Sequence, residues 1–564
     1  MSRPSPHPRQ TPETFTPPLP SSSGTAPPEL VPVEGTPVWN LRTADGSLLN
    51  CAVVEGPDGL VLMGCGASPR QGGVIARLLA ARFGKPVSAV VLAEPVSSHC
   101  AGVSAVLEAQ RGRQVPVIAH ESWGSHPEAS VREIIYLKVT MAVLQHGPEL
   151  WQDADPERLL RRGLSENLPP VPFPVPSTRV RHGEELDLAG LRIGFFSTDL
   201  PLDISLGMHL PEHRTVLLPT TLYATPGNFM ALEGAPVEYS EIWHSLMARL
   251  STLDVEHLTG PHMEPLHGKR RIRTLFSVYE DLITYLHDQT IRHLLTGAPG
   301  EDLLHCLPIP EQVAENLAPE AFHSNFGGTA LMYHTRYMGW FSGNAVDLAP
   351  TPRPERARRS VELMGGAARV LAVAAESLDD DPQWAAELAR TVVDAFPDHA
   401  DGRALLTRAL HALADRDPNP LRRNWYRCAA LDASGQLRLS DVRDAVQRMF
   451  PLTARVLLET LRFRVDPEKA GSRTVSIGVE ISDTGEHFGL LLRNSVLRVR
   501  EGVPSEWIAG MRLSMDALTR LVFDEASLEE LVSRNEIELQ GVPDSVEELW
   551  SAIAPRPDLS FHRR

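Results

Sequence analysis

The sequence lacks any apolar run close to the roughly 18 residues that a membrane span needs, so no transmembrane anchor is expected. Cysteine is sparse: the five are Cys51, Cys65, Cys100, Cys306 and Cys428, far apart and without a C-x-x-C pair. That excludes a disulfide framework and points to free thiols in a reducing compartment, taken as cytoplasmic. Basic residues are outnumbered, 54 against 71 acidic ones, for a formal net charge of −17. This argues against nucleic acid and anionic membrane surfaces as partners. The one dense basic stretch, "HGKRRIR" (His267 to Arg273), reads as the solvated start of a helix. Residues 1–30 have no hydrophobic segment of the secretory kind, and their prolines and serines read as a disordered tail.

What is present is ordinary for a globular protein, with 42% apolar and 22% charged residues. The 564 residues exceed a single core, so several domains are expected. From Thr36 to Ser68 short apolar runs alternate with Gly, Asp and Pro turns, the pattern of a strand meander. "GGVIARLLAARFG" (Gly72 to Gly84) has helical spacing closed by glycine, and "VSAVVLA" (Val87 to Ala93) reads as a buried strand. "HGEELDLAGLRIGFFST" (His182 to Thr198) and "HRTVLLPTT" (His213 to Thr221) add strands. The α/β part therefore covers 31–265. Apolar residues at three-and-four spacing make 266–432 helical. The remainder, 436–564, reads as a small α+β module with strands at Thr474 to Asp483 and His487 to Gly502, and a hairpin turn at Asn494–Ser495.

Three stretches of the helical part are specific: "YLHDQT" (Tyr285 to Thr290), "RYMGWFSGN" (Arg336 to Asn344) and "VELMGGA" (Val361 to Ala367). In this order they resemble the dimerisation domain of the bacterial alkyl sulfatases. The α/β part resembles that family's metallo-β-lactamase-type domain, and Leu461 to Gly502 resembles its sterol-carrier-protein-like domain. The resemblance implies an α/β metallo-β-lactamase-like sandwich, then an all-α dimerisation domain and a small α+β sterol-carrier-like domain. It also implies a homodimer with interlocked helices, two-zinc hydrolysis of long-chain alkyl sulfates, and a C-terminal module that holds an amphiphile or acyl chain.

The family carries its metal ligands in a loop of the form T-H-x-H-x-D-H-x-G-G after a buried strand. Set against "AEPVSSHCAG" (Ala93 to Gly102), its first three ligand positions fall on Glu94, Val96 and Ser98, and only the last histidine survives, as His99. Valine cannot ligate, and a neutral serine is a poor ligand. The aspartate that orients the loop falls on Gly64. The family glutamates fall on Pro201, Ser205 and Thr220, with Asp203 two residues out of phase. Asn228 remains, and His262 is a partial counterpart of a further histidine. The arginine suited to fork onto sulfate is Glu233, which reverses the charge. A polar Ser-His-Asn triplet becomes Gly327, Gly328 and Thr329.

Losses in several separate segments, beside a preserved scaffold, lead us to expect a pseudoenzyme with no bound cofactor. A vestigial single-metal site would use His99 and His262 with Glu94 or Cys100; the alternative is an active sulfate ester hydrolase of the linear primary alkylsulfatase type, with diverged ligands holding zinc, one or two ions. Cys65 and Cys100 read as small buried hydrophobes. His305 and Cys306 read as packing residues of an apolar helix. His287 and Asp288 match a structural motif of the family and read as inter-helix hydrogen bonding.

Overall fold

The computed structural model describes residues 28–42, 48–66, 68–94, 100–123, 141, 144–145, 175–197, 205–219, 239–261, 263–308, 310–311, 313, 326–417, 419–437, 453–502 and 509–555. They form two compact units. The first takes Met1–Trp123, Pro172–Ala224 and Ser245–Glu280; the second takes the rest.

In the first unit, β1 (Glu29–Pro32), β2 (Val38–Arg42), β3 (Leu48–Glu55) and β4 (Leu60–Met63) make an antiparallel meander. Helix α1 (Pro69–Phe83) then crosses over to β5 (Val87–Val91). Helix α2 (Val103–Glu108) leads to β6 (Val117–His120), and β7 (Thr178–Val180) closes the sheet. The order is β1-β2-β3-β4-β5-β6-β7, with β4 to β7 parallel. A second sheet holds β8 (Glu185–Leu188), β9 (Leu191–Phe196), β10 (Gly207–Leu210), β11 (Thr215–Leu217), and, after helix α3 (Tyr239–Leu250), β12 (His257–Gly260) and β13 (Met263–His267). Its order is β13-β12-β11-β10-β9-β8.

The period-two alternation of the strands sorts residues between two cores. Ala52 and Val54 of β3, and Val61 and Met63 of β4, meet Ile193, Phe195, Met208 and Leu210 between the sheets. Cys51, Val53, Leu60 and Leu62 pack with Ile75 and Leu79 of α1, and with Val103 and Val106 of α2. Both faces of the first sheet are covered, which is why its strands read as unbroken apolar runs. A register shift pairs Leu60 with Val87 and Val61 with Ala89, so Ser88 is stepped over and Val87 falls on the helix-facing side with Val90. Helix α1 begins where Ser68 accepts from the Gln71 N–H and Pro69 supplies a preset φ; it ends at Gly84, φ +62°. Sheet on sheet with helices outside is the metallo-β-lactamase-like sandwich.

Helix α4 (Lys269–Leu295) follows β13. Its opening residues Arg270, Arg271 and Arg273 are exposed, as expected of a solvated helix start. The second unit continues with α5 (Phe326–Met338), α6 (Arg353–Leu363), α7 (Ala367–Ser377), α8 (Pro382–Ala395), α9 (Ala400–Arg416) and α10 (Pro420–Ala433). Alanines 374, 385, 389 and 409 share their core with Val361, Val392 and Leu406, and small side chains let the helices approach closely. Helices α11 (Ala454–Thr460) and α12 (Pro467–Ala470) precede a second α+β layer. It holds β14 (Thr474–Ile481), β15 (His487–Arg493), β16 (Val496–Glu501), β17 (Ala509–Leu513), α13 (Met515–Val522), α14 (Leu528–Ser533), β18 (Ile537–Gly541) and α15 (Pro543–Ser551). The sheet order is β16-β15-β14-β17-β18. Asn494 and Ser495 take φ +53° and +58°, the two positive values a type I′ hairpin turn demands.

Arg464 is the buried polar anchor of this layer. Its guanidinium donates to Ala554 O at 2.8 Å, Val522 O at 2.6 Å and Asp524 Oδ1 at 2.7 Å. Arg464→Met removes all three donors and leaves buried carbonyls without them. It is expected to lower stability by about 2–3 kcal/mol, read as an earlier urea transition of the C-terminal layer.

Candidate functional site

Open α/β sheets place ligand sites outside the carboxyl ends of their parallel strands. Here that edge is built by backbone contacts. Gly64, just past β4, takes φ +79° and its N–H donates to Val91 O at 3.1 Å. Gly66 takes φ +81°, and its carbonyl accepts from the Gly102 N–H at 3.2 Å. A Cβ on Gly102 would stand 2.0 Å from Cys65 O, and one on Gly72 would stand 2.1 Å from Gly102 O. Three segments, the 64–66 turn, the first turn of α1 and the start of α2, meet closer than any side chain permits. The Ala101–Gly102 turn therefore has a packing reason to exist that is independent of metal chemistry.

Onto this frame the structure brings three of the sequence candidates together. Glu94 follows β5 and is buried. The Ser205 hydroxyl donates to Glu94 Oε1 at 3.2 Å, and the Cys100 thiol donates to Glu94 O at 3.1 Å. The Leu206 N–H donates to Ala93 O at 2.8 Å, tying the segment before β10 to the end of β5. His99, Val96, Ser98, Pro201, Asp203, Thr220, Asn228, Glu233 and His262 lie outside the described residues. Among the described residues no group of three or more His, Cys, Asp or Glu is placed to hold a metal ion. Glu94 and Cys100 alone do not make a zinc site, since the thiol points its proton at a carbonyl and the carboxylate accepts from a hydroxyl. No chemical step through a metal follows from this set.

Cys65 and Cys100 are buried, as read from the sequence, and so is Cys51. Burial pushes the Cys51 thiol up to about 12 and the Cys65 thiol well above its ordinary value, so both stay protonated and inert. The reading of His305 and Cys306 as packing residues is corrected. Both are exposed in the turn after a short 3-10 helix, Gly300–Leu304, because only Leu303 of that helix points inward. His287 does bridge helices: its Nε2 lies 2.8 Å from the Tyr337 hydroxyl of α5 and its Nδ1 2.9 Å from Asp288 Oδ1. Gly327, Gly328 and Thr329 lie inside α5, where a Cβ at 327 would meet Leu304 Cα at 2.9 Å.

One cluster went unread in the sequence. The Ser122 N–H donates to His120 Nδ1 at 3.3 Å, which leaves Nε2–H facing Ser197 Oγ at 3.2 Å. Ser197 N–H donates to His182 Nδ1 at 3.3 Å, and Arg249 donates to Ser197 O at 3.3 Å. His120 and Ser197 are buried, so this network braces the ends of β6 and β9 rather than presenting a nucleophile. The available signal was a histidine closing the apolar run "PVIAH", a polar side chain at the carboxyl end of a buried strand.

Sandwich, helical layer and C-terminal α+β layer define the class: a metallo-β-lactamase-like fold with appended helical and sheet domains. Family models agree on the appended parts. Alkyl sulfatase dimerisation matches residues 300–435, and alkyl sulfatase C-terminal matches 446–562. A linear primary-alkylsulfatase of Pseudomonas sp. (strain ATCC 19151) is 25% identical over 82% of this chain and 90% of its own length. An (R)-specific secondary-alkylsulfatase of Pseudomonas sp. is 24% identical over 87% and 76%. The solved structure of a stereoselective inverting sec-alkylsulfatase from Pseudomonas sp. covers 94% of this chain and 85% of its own, with TM-score 0.70 at 21% identity, a likeness of fold. Residues 300–435 and 446–562 thus carry the dimerisation and C-terminal domains of alkyl sulfatases, and over its length the chain is similar to alkylsulfatases.

That likeness corrects one expectation. The absence of a cofactor does not stand, because the alkylsulfatases and metallo-β-lactamases that the chain resembles are zinc-dependent. The inference of absence weighed the replaced positions Val96, Ser98 and Thr220 above the surviving His99 and His262, and none of these lies among the described residues.

Two outcomes follow from the frame. Gly102→Ala forces apart the Cys65 carbonyl and the start of α2, and is expected to cost more than about 2 kcal/mol in urea unfolding, whereas Gly73→Ala, inside α1 with room for a Cβ and an ordinary helical φ, is expected to gain about 0.5–1 kcal/mol. His209 of β10 is held below the ordinary imidazole value by burial, so the folded state prefers it neutral. The unfolded chain takes up that proton below pH about 6.5, so stability falls as pH drops through that value. The urea midpoint at pH 5.5 should lie below that at pH 7.5, with a smaller drop in His209→Gln.

Proposed function

We propose that this protein is an alkyl-sulfatase-like homodimer that has lost the two-metal sulfate ester hydrolysis of its family and keeps a scaffold and amphiphile-binding role. The observation that carries the reading is the hydrogen bond between Ser205 and Glu94. Both stand at positions that hold metal ligands in the resemblance, and here they bond to each other. Glu233 in place of a sulfate-binding arginine supports the same reading, since a carboxylate repels the anionic substrate. The proposal concerns the reaction, and leaves open which ions the protein holds.

Self-association is supported by the dimerisation-model match and by apolar exposure between Tyr337 and Met364. Trp340, Val346 and Leu363 are 78%, 75% and 89% exposed, a display that a lone soluble chain rarely tolerates. The C-terminal layer would hold the apolar chain of an amphiphile, as its resemblance to sterol-carrier domains implies. Among the described residues no helix is long and apolar enough to cross a membrane. With five free cysteines the cytoplasm is the compartment we favour.

The decisive measurement is sulfate release from dodecyl sulfate by the full-length protein with added zinc. None above the protein-free rate is expected, and turnover would establish an active alkylsulfatase instead. Light scattering should return a dimer, and Trp340→Asp with Leu363→Asp should shift it to the monomer mass.

A further inference from the structure

His257 and His267 face each other across the antiparallel pair β12–β13. Their Nδ1 atoms are 2.9 Å apart and the rings meet edge to face at 75°. The bond between them holds one shared proton, with one ring donating and the other accepting. The site is at the surface: His267 is exposed and His257 half-buried. We propose that this cross-strand histidine pair is a surface chelate for a divalent transition-metal ion of the copper or nickel class, distinct from the Glu94 region.

The spacing carries the argument. Imidazole nitrogens bind such ions at about 2.0–2.1 Å. Two of them in adjacent positions of a square-planar or tetragonal ion, at about 90°, lie about 2.9 Å apart. That is the separation the strands hold before any ion arrives, so binding needs only that the donor ring carry its proton on Nε2 instead and that both rings turn to aim Nδ1 at the ion, with the backbone left in place. Tetrahedral ligands would need a wider bite of about 3.3 Å, so copper and nickel fit better than zinc. Burial, and then His267, hold His257 below the ordinary imidazole value, which keeps the ligating neutral form populated.

Charge around the pair does not oppose a cation. Arg214 pairs with Asp254 at 3.0 Å and with Glu256 at 3.3 Å, and Lys269 also bonds Asp254. Two cations are thereby matched by two carboxylates. Gly35 packs against the ring of His257, where a Cβ would stand 3.1 Å from Cε1, so the imidazole is held in place on that side. Water would complete the coordination of a two-histidine site. An ion there would pin the edge strand β13 to β12 just before the chain enters α4.

The test titrates Cu(II) alone into the full-length protein and into His267→Asn and His257→Asn, by calorimetry and visible absorption. The wild type should bind one more Cu(II) than either variant, or bind it more than about tenfold tighter. Copper should also raise its melting temperature, a rise that both variants lack. His267→Asn, at the exposed position, is the variant least able to disturb folding, and an unchanged far-UV spectrum confirms that it folds. Equal stoichiometry and affinity in wild type and His267→Asn would overturn the proposal, whatever ions bind elsewhere.

Discussion

The carboxyl edge of the first sheet depends on three backbone segments lying closer than a Cβ allows. Gly102 against Cys65 O, and Gly72 against Gly102 O, lock the turn after β4 and the ends of two helices into one block. Because interiors are close-packed and poorly compressible, this block fixes where the chain leaves β5 and re-enters α2. Glu94 and Cys100 stand on either side of that exit, and their mutual contact follows from the block rather than from each other. The constraint is indifferent to chemistry.

The fold was legible because its signals are periodic and redundant. Alternation in β3 and β4, a capped α1 between Ser68 and Gly84, and paired positive-φ residues at 494–495 each have a local cause that a sequence displays. The site was legible only in part. The resemblance set Glu94 and Ser205 against ligand positions from their motifs, but that they bond to each other joins residues 111 apart in the chain. His120 escaped because no motif contains it, and its meaning lies in Ser197, 77 residues away. Cys306 was misread because an apolar run, "LLHCLP", was taken as buried throughout, whereas only one of its first two leucines turns inward.

Scaffold and chemistry also separate in the second unit. The histidine of "YLHDQT" keeps its tie to the tyrosine of "RYMGWFSGN", two stretches that carry the family resemblance. Close by in sequence, the positions that the resemblance sets against a Ser-His-Asn triplet lie in α5, with Gly327 packed on the Leu304 backbone. A Cβ at 327 would stand 2.9 Å from Leu304 Cα, so the glycine there has a packing reason.

The Glu94–Ser205 pair has an electrostatic logic that a list of lost ligands misses. A buried carboxylate must be offset by donors or by a cation. With a histidine at 94 and a glutamate at 205, one negative charge would face a ligand, and a metal ion would balance it. Glu94 beside a second carboxylate would put two anions at hydrogen-bond distance, a pairing stable only with a proton or a metal between them. Serine at 205 removes that demand, and its hydroxyl supplies a donor at 3.2 Å. The two substitutions therefore make sense together: beside Glu94 a serine hydroxyl supplies a donor where a second carboxylate would repel it.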